Sequence, residues 1–347
     1  MATGDTGPVR LADVALRAGV SIATASRVLN GGTRVVGNEL REKVLAAALE
    51  LDYTPNVHAQ AIARGASNTV GLLVHDITDP YFSTIAAGVT GLADERGAVV
   101  LLANTRREPA LELEYLAMLT AQRARAVIVV GSRFSGRAAN ATLAAQIDRF
   151  RAGGGRVACV GQDRLGTDTV VPQNAAGARA LARALVGIGH RCFAVLAGPP
   201  ELLTGRDRLR GFRRGLADEG LDPEAVRVIN GPFTRDGGYA AAAELAADRR
   251  GETCVFAVND VMAVGAIAAF RDRRVDVPGD ISVAGFDDIA TLRDLVPPLT
   301  TVRLPLAEMG SSAAAMALDA NQPESHRVVT VRGEVVLRAS TRTLRRS

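Results

Sequence analysis

The hydrophobic positions near the start of the chain repeat at the spacing of short amphipathic helices. Leu11, Val14, Ala15 and Ala18 follow the i, i+3, i+4, i+7 pattern of one buried face, and Gly19 then interrupts it. This pattern predicts a first helix over residues 11–18 that ends at a glycine turn.

A second helix is predicted over residues 22–29, because Ser21 is a good N-cap and Ala25, Val28 and Leu29 recur on one face. A third amphipathic pattern covers residues 38–51 and would close a small core. Two short helices joined at a glycine are typical of a helix-turn-helix. A purely structural three-helix module would show the same pattern, and it remains an alternative at this point.

From residue 70 onward the pattern changes to short apolar runs that alternate with amphipathic stretches. Continuous apolar runs are typical of parallel strands that are buried on both faces. Their alternation with helices predicts doubly wound sheets, and a pause at residues 161–173 indicates two similar subdomains with a cleft between them. The predicted buried strands are residues 70–74, 99–103, 127–130, 157–160, 193–197, 255–258 and 281–286.

Polar residues at the strand ends are the candidates for ligand binding, because open α/β sheets bind ligands at the carboxyl ends of their strands. Asp79 is expected to cap a helix that starts at Pro80. Asn259 follows one predicted strand and Asp287 follows another. The sequence therefore predicts a polar cleft at this edge of the sheets.

Composition narrows the class of protein. At 347 residues the chain has room for two or three folding units. No run of roughly 18 apolar residues predicts a membrane helix, and residues 1–8 lack an apolar signal segment, which favours a cytoplasmic protein. Cys159, Cys192 and Cys254 stand singly in apolar runs, so we expect buried structural thiols and no metal or cofactor. The net charge of +4 is too small to diagnose a nucleic-acid binder.

The outward face of the second helix favours DNA binding over a structural module. Arg27 can hold guanine O6 and N7 with two hydrogen bonds. Thr24 and Ser26 can contact phosphates, while Ile22 and Ala23 can touch thymine methyl groups. The predicted contacts of this segment with DNA are Ser21, Ile22, Ala23, Thr24, Ser26 and Arg27.

Three segments resemble the lactose-repressor/galactose-repressor (LacI/GalR) family at its most specific signature. They are residues 9–30 (VRLADVALRAGVSIATASRVLN), 41–44 (REKV) and 51–56 (LDYTPN), and the resemblance continues over the rest of the chain. It implies a bacterial transcription regulator, most often a repressor, with no enzymatic activity. The expected domains are a helix-turn-helix domain at 1–54, a hinge helix and linker at 55–66, and a periplasmic-binding-protein-like body of two doubly wound parallel-sheet subdomains at 67–347.

The resemblance also implies further DNA contacts at Asn56, Ala59 and Ile62. In the family the segment at 56–64 is a hinge helix that folds on the operator, and Ile62 takes the place of the usual leucine that wedges into the minor groove. An ordinary linker helix is the alternative for this segment. Gly37 stands where the family usually has serine at the start of the third helix, so Asn38 is the expected cap instead.

The resemblance implies an effector site in the body, for a sugar or a nucleoside. Arg208 lies in the register of the family's effector-binding arginine, and it would hydrogen-bond a polyol or base together with Asn259 and Asp287, with Phe233 stacking on the ligand. Taken singly, each residue could equally be a helix cap or an ion pair. The full set of predicted effector contacts is Asp79, Tyr81, Phe82, Arg208, Phe233, Asn259 and Asp287.

Several neighbouring positions stay open. His75 is either a ligand contact or a structural histidine. Which of Gln162 and Asp163 faces the ligand is undecided, and Gln173 stands where the family commonly has aspartate.

An α/β enzyme and a transported-solute binder are the competing classes. The sequence holds no phosphate-binding loop, nucleophile elbow or zinc-protease motif. The absence of a signal segment and the DNA module ahead of the body disfavour a transport protein. No leucine-heptad tail follows the last strand, so we expect a homodimer that binds pseudopalindromic operator DNA and no membrane.

Overall fold

The computed structural model describes residues 9–30, 36–54, 67–319, 321 and 325–344. Contacts divide the chain into two compact units, Met1–Ser67 and Asn68–Ser347. The proposed hinge segment, including Asn56, Ala59 and Ile62, lies outside the described residues. The domain limits given above therefore stay predictions.

Residues 9–30 and 36–54 of the first unit form three helices around a small core. Gly19 ends the first helix with a left-handed backbone (φ 66°), a conformation that glycine adopts without strain. Val14, Ala25 and Val44 are fully buried, one from each helix. The helices are α1 (Leu11–Ala18), α2 (Ile22–Asn30) and α3 (Asn38–Glu50).

The caps of these helices were partly predicted. Ser21 Oγ accepts a hydrogen bond from the backbone N–H of Thr24 at 3.1 Å, as expected for an N-cap. The expected Asn38 cap is wrong, because Asn38 is the first residue of α3 and Gly37 is its N-cap, with no side-chain hydrogen bond.

The second unit begins with a six-stranded parallel sheet. One expectation is wrong here: residues 99–103 form an exposed edge strand rather than a buried one, because only one neighbour pairs with them. The strand order is β11-β5-β4-β3-β1-β2. The strands are β1 (Thr69–Val74), β2 (Val99–Asn104), β3 (Ala126–Val130), β4 (Arg156–Val160), β5 (Asp168–Pro172) and β11 (Val328–Val331).

A second parallel sheet of four strands follows, in the order β7-β6-β8-β9. In the described part of the body the chain passes between the two sheets three times, after β5, between β9 and the last helix, and after β11. A short antiparallel pair, β10 with β12, lies on two of these crossings. The strands are β6 (Phe193–Ala197), β7 (Arg227–Asn230), β8 (Cys254–Ala257), β9 (Ser282–Ala284), β10 (Thr301–Arg303) and β12 (Glu334–Val336).

The helices of the body pack in pairs on these sheets. One of them, the helix that carries Arg208, starts at Leu203. No helix among the described residues is both long and apolar enough to cross a membrane. The body helices are α4 (Pro80–Glu95), α5 (Pro109–Ala121), α6 (Arg137–Ala152), α7 (Asn174–Gly187), α8 (Leu203–Asp218), α9 (Arg235–Ala247), α10 (Asp260–Asp272) and α11 (Leu306–Leu318), with 3-10 turns at Pro223–Ala225 and Ala290–Arg293.

The thiols are only partly as predicted. Cys159 and Cys254 are buried in strands, but Cys192 is exposed. Cys192 lies one residue before β6 and is therefore not part of the sheet.

Glycines let three helix pairs approach closely. A Cβ built on Gly88 of α4 would lie 1.9 Å from the carbonyl oxygen of Ala307 in α11, and one on Gly310 would lie 2.1 Å from that of Ile85. Gly211 of α8 faces α7 in the same way, and Gly265 of α10 faces α9. The two helices of each pair therefore pack so closely at these glycines that a methyl group does not fit between them.

We expect Gly88→Ala to lower the free energy of unfolding by about 1–3 kcal/mol, because the new methyl group would overlap backbone of α11. Gly91→Ala is the matched control on the same helix, since nothing lies within 4 Å of its added Cβ. That control should stabilise α4 by up to about 1 kcal/mol. Urea unfolding of both variants measures the difference, and equal stability would contradict this close helix contact.

Candidate functional site

The predicted DNA-binding face of α2 is solvent-accessible. Ile22, Ala23 and Arg27 are exposed, whereas Thr24 and Ser26 are half-buried. Within residues 9–30 and 36–54, Arg27 has no ion-pair partner, so its guanidinium is available to another molecule. Ser21, also exposed, shares a hydrogen bond of 2.9 Å between its hydroxyl and that of Thr24.

The seven predicted effector residues all line one cavity in the body. The cavity lies where the carboxyl ends of strands from both sheets meet, and its free volume is about 30 Å³. The predicted residues that line it are Asp79, Tyr81, Phe82, Arg208, Phe233, Asn259 and Asp287.

Arg208 of α8 is the most constrained of these residues. Its guanidinium is buried and makes a two-pronged ion pair with Asp287, at 2.7 Å from Nη2 to Oδ1 and 3.2 Å from Nη1 to Oδ2. Nε donates to Asn174 Oδ1 at 2.8 Å and Nη1 donates to the carbonyl oxygen of Val258 at 2.7 Å. Four of its five N–H groups are thus used within the protein, which leaves one for a ligand.

Asp287 lies on the second crossing in a strained conformation. Its φ of 122° and the φ of 57° at Asp288 are rare for residues with a side chain. Asp288 is held by Arg303 at 2.7 Å and Arg338 at 2.6 Å. Burial raises the pKa of Asp287 to about 6, while Arg208 opposes this rise. Asp287 is therefore ionised at neutral pH and pairs with Arg208 as a carboxylate.

Two cavity residues also cap helices. Asp79 Oδ1 accepts the N–H of Tyr81 at 3.0 Å at the start of α4, and Asn259 Oδ1 accepts the N–H of Met262 at 2.9 Å at the start of α10. Asn259 Nδ2 is buried and has no hydrogen-bond partner in the described part of the chain. Capping and cavity lining, which the sequence left as alternatives, here occur in the same side chains.

The aromatic residues frame an arginine that the sequence analysis missed. The guanidinium carbon of Arg107 lies 6.0 Å from the ring centre of Phe82 in α4 and 5.9 Å from that of Phe233 in the loop between β7 and α9. Tyr81 contacts Phe82 edge to face, with 5.0 Å between ring centroids. Arg107 follows the end of β2, so the strand-end rule itself was the available signal.

Other lining residues also follow strand ends. His75, Gly131 and Gly161 come directly after β1, β3 and β4. The lining residues absent from the predicted set are His75, Arg107, Gly131, Ser132, Gly161, Pro172, Leu202 and Thr204.

His75 belongs to a buried polar network behind the cavity. Arg133 binds both carboxylate oxygens of Glu112, at 2.7 and 3.0 Å, and His75 Nε2 lies 3.3 Å from Glu112 Oε1. Burial by itself would raise the pKa of Glu112, but the hydrogen bond with His75 and the charge of Arg133 lower it to about 2. Burial lowers the pKa of His75, so its ring is neutral at pH 7. These buried contacts hold His75, a residue of the cavity wall, in place.

The structure shows the contacts of Gln162 and Gln173. Neither Gln162 nor Asp163 lines the cavity. The Gln162 amide accepts the N–H of Arg133 at 2.8 Å and donates to Thr204 Oγ1 at 2.9 Å, and so links the two halves of the body. Gln173 is the N-cap residue of α7, but its side chain makes no capping bond.

Comparisons with known proteins match both parts of the chain. Residues 10–56 match the family of bacterial regulatory proteins called the lacI family, and residues 182–341 match the periplasmic binding protein-like domain. The HTH-type transcriptional regulator DegA of Bacillus subtilis (strain 168) is 33% identical over 339 residues, which are 96% of this chain and 98% of that protein.

Solved structures agree over the same length. A Lac repressor dimer bound to operator and the anti-inducer ONPF is 28% identical, with a TM-score of 0.81, and the match covers 97% of this chain and 100% of the other. A LacI family transcriptional regulator from Enterococcus faecium with bound ribose is 27% identical, with a TM-score of 0.71 over 80% of this chain and 100% of the other. The expected fold, a helix-turn-helix followed by a periplasmic-binding-protein-like body, is confirmed.

The buried Glu112 predicts how stability depends on pH. Its folded pKa of about 2 lies below its ordinary value of 4.5, so its contribution is complete above about pH 4.5 and is lost as the pH falls toward 2. At neutral pH the contribution is about 3 kcal/mol. Glu112→Gln should therefore lose most stability at neutral pH, and the gap to wild type should shrink under acid. Denaturant unfolding between pH 7 and 3 tests this, with exposed Glu114→Gln as a control whose gap stays flat.

Proposed function

Because the chain belongs to the lacI family of bacterial regulatory proteins and is a DNA-binding transcription regulator, we propose that it is a repressor controlled by a small polar effector. The effector, a sugar or a nucleoside, binds in the cavity between the two sheets. One observation carries this proposal: residues from distant parts of the sequence line a single cavity, and one of them, Asn259, has a buried Nδ2 with no hydrogen-bond partner among the described residues.

The polar groups of the cavity suit a hydroxyl-rich ligand. Asn259 Nδ2 needs an acceptor, because a buried donor without a partner costs about 1–3 kcal/mol. The ion pair with Asp287 fixes the orientation of the Arg208 guanidinium and so of its one remaining N–H. Phe233 and Phe82 offer apolar faces beside these donors, which is the combination that sugars and bases require.

For DNA recognition we propose the face of α2. Arg27 is its exposed cation, and arginine with two bonds to guanine is the commonest specific contact in the major groove. Ser21, Thr24 and Ser26 would contact phosphates, with Ile22 and Ala23 against thymine methyl groups. Asn56, Ala59 and Ile62 remain proposed contacts of the hinge segment.

A homodimer would place two such helices on the half-sites of a pseudopalindromic operator. The exposed apolar side chains of the edge strand β2 support a contact between copies: Val99 is 64% exposed, Leu101 43% and Leu102 42%. Exposed apolar surface of this kind marks interaction sites. The protein would act in the cytoplasm on the nucleoid, without catalysing a reaction.

Regulation then follows from linkage. An effector that binds one arrangement of the two body halves better than another shifts the protein toward that arrangement. If the two arrangements differ in operator affinity, the effector changes that affinity by the same coupling free energy.

Arg27→Ala should weaken binding to the specific operator by about 1–3 kcal/mol and leave binding to random DNA nearly unchanged, since a base contact is lost. Arg96→Ala removes the same charge from the body and should change neither. Fluorescence anisotropy with both DNAs at fixed salt measures the losses. Equal losses on operator and random DNA would refute base recognition by Arg27.

Asn259→Asp should abolish effector binding while the protein stays folded, because aspartate keeps the cap of α10 but replaces the free N–H donor with an acceptor. A thermal-shift screen of wild type with sugars and nucleosides identifies ligands, since a ligand that binds only the folded state raises the Tm. Arg208→Ala should also lose the response. A ligand whose stabilisation survives in both variants does not bind in this cavity.

A further inference from the structure

The cavity holds two hydrogen-bond donors that its own residues leave unused. Asn259 Nδ2 has no partner among the described residues, and one N–H of Arg208 remains after its bonds to Asn174, Val258 and Asp287. Several acceptors of the lining are already engaged, because Asp79 Oδ1 accepts Tyr81 N–H, Asn259 Oδ1 accepts Met262 N–H and both oxygens of Asp287 accept from Arg208. The two unused donors suit a ligand with acceptor oxygens.

Arg107 adds a charge to these unused donors. Its side chain is 17% exposed, and its nearest carboxylate oxygen, Asp76 Oδ2, is 3.7 Å away, which is longer than a hydrogen bond. Arg208 and Arg133, the other buried arginines near the cavity, each hold a carboxylate with two short bonds. Burial lowers the pKa of Arg107 without neutralising it. Arg107 is thus a charged and under-satisfied group in the wall.

The aromatic rings hold Arg107 without using its N–H groups. Phe82 and Phe233 lie about equally far from the guanidinium carbon, at 6.0 and 5.9 Å. Contact with aromatic ring faces positions the cation but leaves its N–H donors, which lie in the plane of the guanidinium, free to bind other groups. Asp79 is the other carboxyl whose charge acts on Arg107, and burial raises the pKa of Asp79.

We propose that Arg107 binds an anionic group of the effector, a carboxylate or a phosphate. This inference rests on the proposed function of the cavity and narrows its ligand to an acid or phosphate derivative of a sugar. The anionic group accepts two charge-assisted hydrogen bonds from the guanidinium of Arg107. The hydroxyl groups of the rest of the ligand accept hydrogen bonds from Asn259 and Arg208.

Neighbouring residues provide a matched test. Arg107→Gln removes the charge and keeps a side chain of similar polarity, and Arg106→Gln does the same at the preceding, exposed residue, which pairs with Glu108 at 3.1 Å. Both positions have a left-handed backbone, so the two changes stress the loop alike. Arg107→Lys keeps the charge and removes the fork. Circular dichroism and the Tm of each variant verify folding.

The probes separate charge from sugar recognition and carboxylate from phosphate. They are D-glucose, D-glucuronate, D-glucose 6-phosphate, D-ribose and D-ribose 5-phosphate, with acetate and inorganic phosphate as the bare anions, all at constant ionic strength. Thermal shift and calorimetric titration of the full chain give the affinities.

We expect at least one bare anion to stabilise wild type and Arg106→Gln but not Arg107→Gln. An anionic sugar should bind wild type at least about tenfold more tightly than its neutral partner, and Arg107→Gln should remove that preference. Arg107→Lys should retain part of it. Whether glucuronate or the phosphates respond identifies the anionic group.

Two results would overturn the inference. One is an equal response of wild type, Arg106→Gln and Arg107→Gln to the anions, including no response in any of them. The other is equal or tighter binding of neutral sugars by wild type. In the second case, loss of neutral sugar binding in Asn259→Asp would leave the proposed function standing while Arg107 loses its role.

Discussion

A buried guanidinium organises the cavity. Arg208 comes from α8, and its charge is tolerable inside the body only because three other segments supply partners: Asn174, Val258, and Asp287 with the ring of its neighbour Phe286, 3.9 Å away. Removing one partner of such a buried pair costs about 3–5 kcal/mol. The same requirement that stabilises the fold therefore fixes the position of the donors that face a ligand.

Much of this arrangement could be predicted from the sequence, because it follows from local patterns. The helices of the first unit follow from a 3.6-residue period and a glycine stop, and the cavity follows from the rule that ligands bind at strand ends. Asp79 and Asn259 were recognisable because each is a capping type of side chain between a strand and the helix that follows it. These features depend on residues that are close together in the chain.

Other features depend on distant partners and could not be predicted locally. The start of α8 at Leu203 depends on the carbonyl oxygen of Arg133 and the hydroxyl of Ser132, which accept its first N–H groups. The edge position of β2 depends on the strand order, so an apolar run alone suggested burial where there is exposure. Arg107 follows a strand end, which the sequence shows, but its place between Phe82 and Phe233 depends on the fold.

The caps that face the cavity restrict how its specificity can change. At Asn259 the side chain must begin α10 as well as face the cavity, and serine, threonine, aspartate and asparagine are the side chains that cap a helix best. A mutation that keeps the cap at this position is therefore limited to an amide, a carboxylate or a hydroxyl. Phe233 and Arg107 also line the cavity but cap no helix, because Thr234 and Glu108 are the N-cap residues beside them, so these two positions are free of that restriction.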